Sequence, residues 1–334
     1  MKSLSWAASL PYQQVARLAQ VRRREWPVLQ RPSISVGNLA FGGRGKTPVT
    51  AALAKQAQAR GLRPAILSRG YGGTLRGVDP PKVLQGVEGP AWLQDVAKNR
   101  DLCGEEACWL AATCAEVPVG VHRDRIQAAT IVLEQGDVDL FLLDDGFQSR
   151  LQRDIDLVLL DASCDPPFTE GRVALRESTG ALHRAQFAGI FGMSQGAHQS
   201  LETGAPARLP SQLDLHPLER KLAKIRLLSD GSRVSRSDWP EEVWVAAAVG
   251  QPESVIRVLT ASGILSTERI FLRDHGRPSA RQIERLNSAP LPVLITEKDA
   301  VGWASQSLRE ALVLELAIDG VEPLAALILD RLFP

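Results

Sequence analysis

The residues best suited to chemistry lie between 34 and 48, where a β-branched run leads into a glycine-rich turn and then Gly45-Lys46-Thr47. Gly42, Gly43 and Gly45 let backbone N–H groups close around phosphate oxygens, with Arg44 among them. Lys46 can reach a β or γ phosphate, and the Thr47 hydroxyl is a ligand for Mg²⁺. The strict phosphate-loop pattern has a further glycine five positions before Gly45. Here that position is Ala40, and glycines stand at 37, 42 and 43 instead. The chemistry implied is binding of a nucleoside triphosphate; the alternative reading of the same glycines is a tight strand-to-helix connection.

Other polar residues stand at the ends of apolar runs. Asp144 and Asp145 close the run 140–143 and precede Gly146. Acids at the carboxyl edge of a sheet beside a phosphate loop can hold Mg²⁺ or steady a phosphoryl group, although Asp-Asp-Gly can also be a polar turn. Ser68-Arg-Gly-Tyr-Gly-Gly73 offers Arg69 to phosphate or an acidic substrate, and its glycines permit close backbone approach. Glu105 and Glu106 begin an apolar helix, where they complement its dipole or serve as proton acceptor and Mg²⁺ ligand. Arg123 and Arg125 follow a further strand end and could neutralise phosphoryl charge. Of the five histidines, His275 after Asp274 is the one placed to enter a cleft.

These positions require a particular scaffold. Apolar runs at 33–36, 64–67, 117–121, 140–143, 157–160 and 189–192 alternate with helical patterns such as 49–59. The alternation predicts an α/β fold, a mostly parallel sheet with helices on both faces. Residues 194–216 read as an irregular connection, and 224–228 with 233–235 as a hairpin turning at Asp230-Gly231. A second α/β pattern follows, with strands at 243–249, 269–272 and 293–296 and helices at 253–262 and 280–287. The domain expectation is therefore a phosphate-loop domain over 1–215, a hairpin linker over 216–240 and a smaller α/β domain over 241–334 that closes a cleft.

Composition narrows the class. With 334 residues, 44% hydrophobic and 23% charged, the chain has the makings of a folded core, and a net charge of +1 gives no general footprint for nucleic acid. Cys103, Cys108, Cys114 and Cys164 lack C-x-x-C spacing and read as reduced thiols of a cytosolic protein. No apolar run approaches the roughly 18 residues of a membrane span, and no signal-peptide pattern is present. At helical spacing Leu4, Ala8, Pro11, Val15 and Leu18 share one arc, followed by Arg22, Arg23, Arg24 and Trp26. That suits a helix on an anionic membrane surface, and equally a helix packed on the protein body, with Pro11 starting or kinking it.

Together these motifs resemble the tetraacyldisaccharide 4'-kinase family, the lipid A 4'-kinases, over nearly the whole chain. The resemblance rests on Ser35-Val-Gly-Asn-Leu39 with the phosphate loop, Ser68-Arg-Gly-Tyr-Gly-Gly73, and Asp144-Asp-Gly-Phe-Gln148 with Arg153-Asp154. Asp274-His275 and Leu294-Ile-Thr-Glu-Lys-Asp-Ala300 complete it. It implies a kinase peripheral on the cytoplasmic face of the bacterial inner membrane; a monomer is expected, although sequence does not give the oligomeric state. Such an enzyme moves the γ-phosphate of ATP, with Mg²⁺, to the 4'-hydroxyl of a lipid A disaccharide precursor. It further implies that Lys46, Thr47 and the loop glycines bind ATP, that Thr47, Asp144 and Glu106 serve the metal, and that Asp145, Arg69 and Arg125 meet the phosphoryl group. Glu105 and His275 take the place of the family's acid–histidine base. The chain departs from the family pattern with Glu105 for aspartate, Ser149 for histidine, and Val173-Ala-Leu-Arg-Glu177 for Leu-Pro-Ala-Gly-Pro-Leu-Arg-Glu. Two other readings follow: a catalytically weakened nucleotide-binding pseudokinase of the same fold, and a P-loop GTPase-type switch. For the latter, Thr296-Glu-Lys-Asp299 has glutamate where the guanine-reading motif has asparagine.

Overall fold

The computed structural model describes residues 25–85, 99–165, 168, 174–192, 209–303, 308 and 310–334. The expected amphipathic segment with Arg22, Arg23 and Arg24, and most of the expected connection at 194–216, lie outside the described residues. In chain order the first elements are β1 (Ser33–Gly37), α1 (Lys46–Ala59), β2 (Pro64–Ser68), β3 (Lys82–Leu84), α2 (Glu105–Thr113), β4 (Val119–Val121) and α3 (Arg125–Gln135). Then come β5 (Leu140–Asp144), β6 (Ile155–Asp161), β7 (Phe187–Phe191), β8 (Asp214–Leu227), β9 (Arg233–Val234) and β10 (Glu242–Ala247). The chain finishes with α4 (Pro252–Ala261), β11 (Leu265–Phe271), α5 (Ala280–Asn287), β12 (Val293–Thr296), α6 (Glu297–Gly302), β13 (Ala311–Asp319) and α7 (Val321–Leu332).

Two compact units interleave along the chain, one built from the segments up to 67, 129–219 and 318–334, the other from 68–128 and 220–317. In the first unit β1 lies between β5 and β6, parallel to both, with β2 parallel to β5 and β7 parallel to β6. The start of β8 adds a further parallel strand beside β7. Every residue of β1, β5, β6 and β7 is buried. That explains the apolar runs 140–143, 157–160 and 187–191, since a parallel strand covered on both faces has no polar side to show; β1 and β6 also bury Ser33, Ser35 and Asp156. Leu39, Phe147, Val158, Leu160, Leu182 and Ile190 fill one core of this unit. α7 packs along α1.

In the second unit β10 pairs in parallel with β11 and β12, and β12 with β13. The later residues of β8 pair antiparallel with β9, giving the expected hairpin. One core gathers Val243, Leu259, Leu294 and Leu314; another gathers Ala246, Ile295, Val313 and Trp303. α6 packs against α2, which brings the two acidic positions of α2 to the start of α6. Both α5 and α6 open with capping boxes, Ser279 with Gln282 and Thr296 with Asp299, each satisfying two N–H groups that the helix itself leaves unpaired.

Candidate active site

In the first unit the phosphate loop follows β1. Gly37 ends that strand, and a Cβ there would lie 2.4 Å from the Phe147 Cβ, so only glycine lets the 144–148 turn cross this closely. Gly45 precedes α1 with φ 79°, in the left-handed region, and Lys46 is the first helical residue. The N-terminus of α1 carries no side-chain cap from Gly45 and no acid within its own first turn. The Lys46 ammonium is largely buried, 3.5 Å from Asn38 Oδ1 and 3.6 Å from Asp145 Oδ1. Thr47 Oγ1 donates to Asp144 Oδ2 at 3.3 Å, and Thr50 Oγ1 stands 3.3 Å from the other oxygen of the same carboxylate. The loop, Lys46, Thr47, Asp144 and Asp145 are thus together.

Arg44 behaves differently from the expectation of a phosphate contact. Its guanidinium is buried and makes three contacts of 2.8–2.9 Å with Asp165, which also accepts the Asp161 N–H at 3.0 Å. Burial pushes the Asp165 carboxyl above its ordinary value, and the arginine opposes that shift. The Arg44 side chain thus anchors the loop internally, to Asp165.

Residues 174–177 run against the loop: Phe41 N–H donates to Ala174 O, Arg176 N–H donates to Leu39 O, and Ala40 bridges Leu175 antiparallel. This strap delivers Arg176, whose Nη1 donates to both oxygens of Asp145 at 2.8 and 2.7 Å. Glu177 accepts from Arg184 and from Gln148, and the Arg184 guanidinium lies 4.2 Å above the Phe147 ring. Asp145 therefore faces two cations. Its φ of 49° turns the carboxylate away from the strand direction that Asp144 follows.

The second unit holds the other acid–base residues. Gly104 precedes α2, and a Cβ on it would lie 2.3 Å from Tyr71 O; one on Gly73 would lie 2.4 Å from Leu102 O. The close backbone approach expected of the 68–73 loop is made by Gly70 and Gly73, against backbone 102–104 beside the start of α2. Glu105 Oε2 lies 3.6 Å from His275 Nδ1, an ion-pair distance, and His275 Nε2 lies 3.9 Å from Asp274 Oδ1. The Tyr71 and His275 rings stand 5.6 Å apart. Glu105 raises the pKa of His275 above its ordinary value, while burial and the Lys298 charge oppose the shift.

Glu106, expected to serve a metal, accepts instead from Lys298 Nζ at 2.9 Å. Burial disfavours the Lys298 charge, but Glu106, Glu105 and Asp274 outweigh it and raise its pKa. Behind them Asp299 is enclosed and accepts from Thr296 N–H and Oγ1 and from Ala248 N–H. Burial, helped by the Glu105 charge, pushes its carboxyl up to about 7. Arg69 is exposed, and Arg125 is buried in the first turn of α3. Among the described residues no group of three or more His, Cys, Asp or Glu side chains is gathered as a metal site. Thr47 with Asp144 is the hard-oxygen pair that could hold Mg²⁺ with a triphosphate.

A family model described as tetraacyldisaccharide-1-P 4'-kinase, LpxK, matches residues 1–332. The chain belongs to this family. Tetraacyldisaccharide 4'-kinase of Geobacter sulfurreducens is 33% identical over 290 residues, covering 84% of this chain and 77% of the relative. That of Geobacter metallireducens is 33% identical over 311 residues, covering 89% and 87%. Among solved structures, LpxK from Aquifex aeolicus in complex with ATP superposes with a TM-score of 0.68 at 23% identity, covering 98% of this chain and 97% of that one. The same α/β fold is therefore shared from end to end. Arg176, Lys298 and Asp299, absent from the candidates the motifs supply, lie against Asp145, Glu106 and Thr296 respectively. Arg176 and Glu177 stood out as the intact end of the 173–177 segment, and the Thr296-to-Asp299 spacing is a capping-box signal.

Proposed function

We propose that this protein transfers the γ-phosphate of ATP to the 4'-hydroxyl of a tetraacyldisaccharide 1-phosphate precursor of lipid A. The observation that carries the reading is the Lys46, Thr47, Asp144 and Asp145 constellation on an uncapped helix N-terminus, in a member of this kinase family. ATP with Mg²⁺ supplies an electrophilic phosphoryl group whose charge is partly neutralised. Backbone N–H groups at residues 42–47 would cradle the phosphates, Lys46 would meet the β/γ oxygens, and Thr47 and Asp144 would furnish oxygen ligands to Mg²⁺. Asp145, restrained by Arg176, orients Lys46. Glu105, steadied by His275, accepts the acceptor hydroxyl proton, and Lys298 holds Glu106 apart from that task.

Among the described residues no helix is long and apolar enough to cross a membrane. We place the protein peripherally on the cytoplasmic face of the inner membrane, as a monomer without a nucleic-acid partner, with the apolar arc and arginines of residues 4–24 as the membrane contact. The test is transfer of labelled γ-phosphate from ATP to the disaccharide precursor in detergent, with an acceptor-free control. Label retained in ATP or released only as phosphate would refute the reading. Deleting residues 1–24 is expected to lower binding to anionic vesicles, and unchanged partitioning would refute the membrane role of that segment.

A further inference from the structure

Gly302 closes α6 with a backbone that needs no glycine: the described residues with positive φ do not include it. Glycine at a helical position is less stable than alanine by roughly 0.5–1 kcal/mol, so its presence requires another reason. The surroundings supply one. A Cβ on Gly302 would lie 2.9 Å from Glu105 Oε2 and 3.2 Å from Glu105 Cδ, inside the contact distance that real side chains keep. The space a methyl group would fill is occupied by the Glu105 carboxylate. The carbonyl of Gly302 is in turn held by the buried Arg100 guanidinium, which fixes this end of α6.

We propose that Gly302 is a positioning residue for the phosphoryl-transfer reaction, its missing side chain forming the seat in which the Glu105 carboxylate is held against His275. The inference rests on the proposed role of Glu105 as the base. Glutamate is one methylene longer than aspartate, and that extra length carries its carboxylate to the surface of α6. A side chain at 302 would displace the end of a flexible side chain rather than backbone, so Gly302→Ala should leave the fold intact while moving the reacting carboxylate. An error near 1 Å in a reacting geometry costs on the order of 10²-fold in rate, and a shift of about half that is expected to cost at least about tenfold.

Two readouts separate the contact from the chemistry. Gly302→Ala is expected to lower kcat by about tenfold or more with the KM for ATP unchanged. In NMR titrations, the His275 midpoint, assigned by its loss in His275→Asn, should fall, because Glu105 recedes while Asp274 and Lys298 still face the ring. Glu105→Asp should be costly alone but cost little, or partly restore turnover, in the Gly302→Ala background, since the shorter acid no longer meets the new methyl. Wild-type turnover and an unmoved His275 midpoint in Gly302→Ala would overturn the proposal. Equal losses from Glu105→Asp in both backgrounds would overturn it as well. A shifted midpoint with unchanged turnover would confirm the contact but overturn Glu105 as the base, and the proposal with it.

Discussion

Replacing Arg44 with alanine should cost this protein stability before it costs it nucleotide affinity. The Arg44 and Asp165 side chains are 6% and 3% exposed, and their N–O contacts of 2.8–2.9 Å leave no room for water between them. Removing one partner of such a pair typically costs about 3–5 kcal/mol, because the other charge is stranded. That is a large part of the total stability of about 5–15 kcal/mol usual for a folded chain. In Arg44→Ala the Asp165 carboxylate keeps the Asp161 N–H but loses its cation. Burial already favours its neutral form, so the variant's Asp165 should take up a proton as the pH falls. Its folded pKa then lies above the unfolded one, and the deficit should be largest at high pH and shrink as the pH falls through that raised value. Urea unfolding across pH measures this, with the KM for ATP followed in parallel. The double replacement Arg44→Met with Asp165→Leu should be less destabilising than Arg44→Ala, since it strands no charge. A wild-type urea midpoint in Arg44→Ala together with a tenfold or greater rise in the KM for ATP would refute the argument and return Arg44 to the phosphates.

Lys46→Ala should lower kcat by about 10²–10³, the usual effect of losing one preorganised charge at a transferring group, with the fold unchanged by circular dichroism. Arg176→Ala should raise the KM for ATP, because Asp145 would then be left with Lys46 as its principal cation; unaltered kinetics would remove the strap from the site. Glu105→Gln and His275→Ala should each lower kcat by about 10²–10⁴, combine less than multiplicatively, and leave ATP binding nearly intact. In Glu105→Gln the acidic limb of the remaining rate should move to lower pH, because the largest influence raising the His275 pKa is gone. Asp299, at about 7 against an ordinary 3.8, binds its proton more tightly folded than unfolded. Its contribution to stability is therefore present below the ordinary value and lost as pH rises toward 7; Asp299→Asn should flatten that slope in urea unfolding.

Much of this architecture is legible in the residues because parallel strands buried on both faces leave long apolar runs. Thus 64–67, 140–143 and 157–160 read correctly as strands, and Gly45-Lys46-Thr47 marks the start of α1. Residues 311–319 are less transparent. Ala-Leu-Val-Leu-Glu-Leu-Ala is as good a helix as a strand, and pairing with β12 decides in favour of β13. The start of β8 is likewise hidden by Pro217 and alternating charges, which suit a partly exposed strand as readily as a loop. In the candidate site, types and positions could be read but not partners. Glu106 and Lys298, or Arg44 and Asp165, are far apart in sequence, and only the fold decides which charge each acid meets. The positive φ values of Asp145 and His275 leave only a weak trace, since Asp and His tolerate that region better than most residues.

The packing of α7 along α1 has a consequence for how the protein comes into being. Lys46 opens a helix that is made early, yet the partner covering that helix leaves the ribosome after every other described element. At translation speeds of about 5–20 residues per second, the interval is on the order of tens of seconds. Throughout it the nascent phosphate-loop helix lacks its last packing partner, so a chaperone has a defined window in which to act, and a stalled or truncated chain would carry its phosphate-binding lysine on an incompletely covered helix.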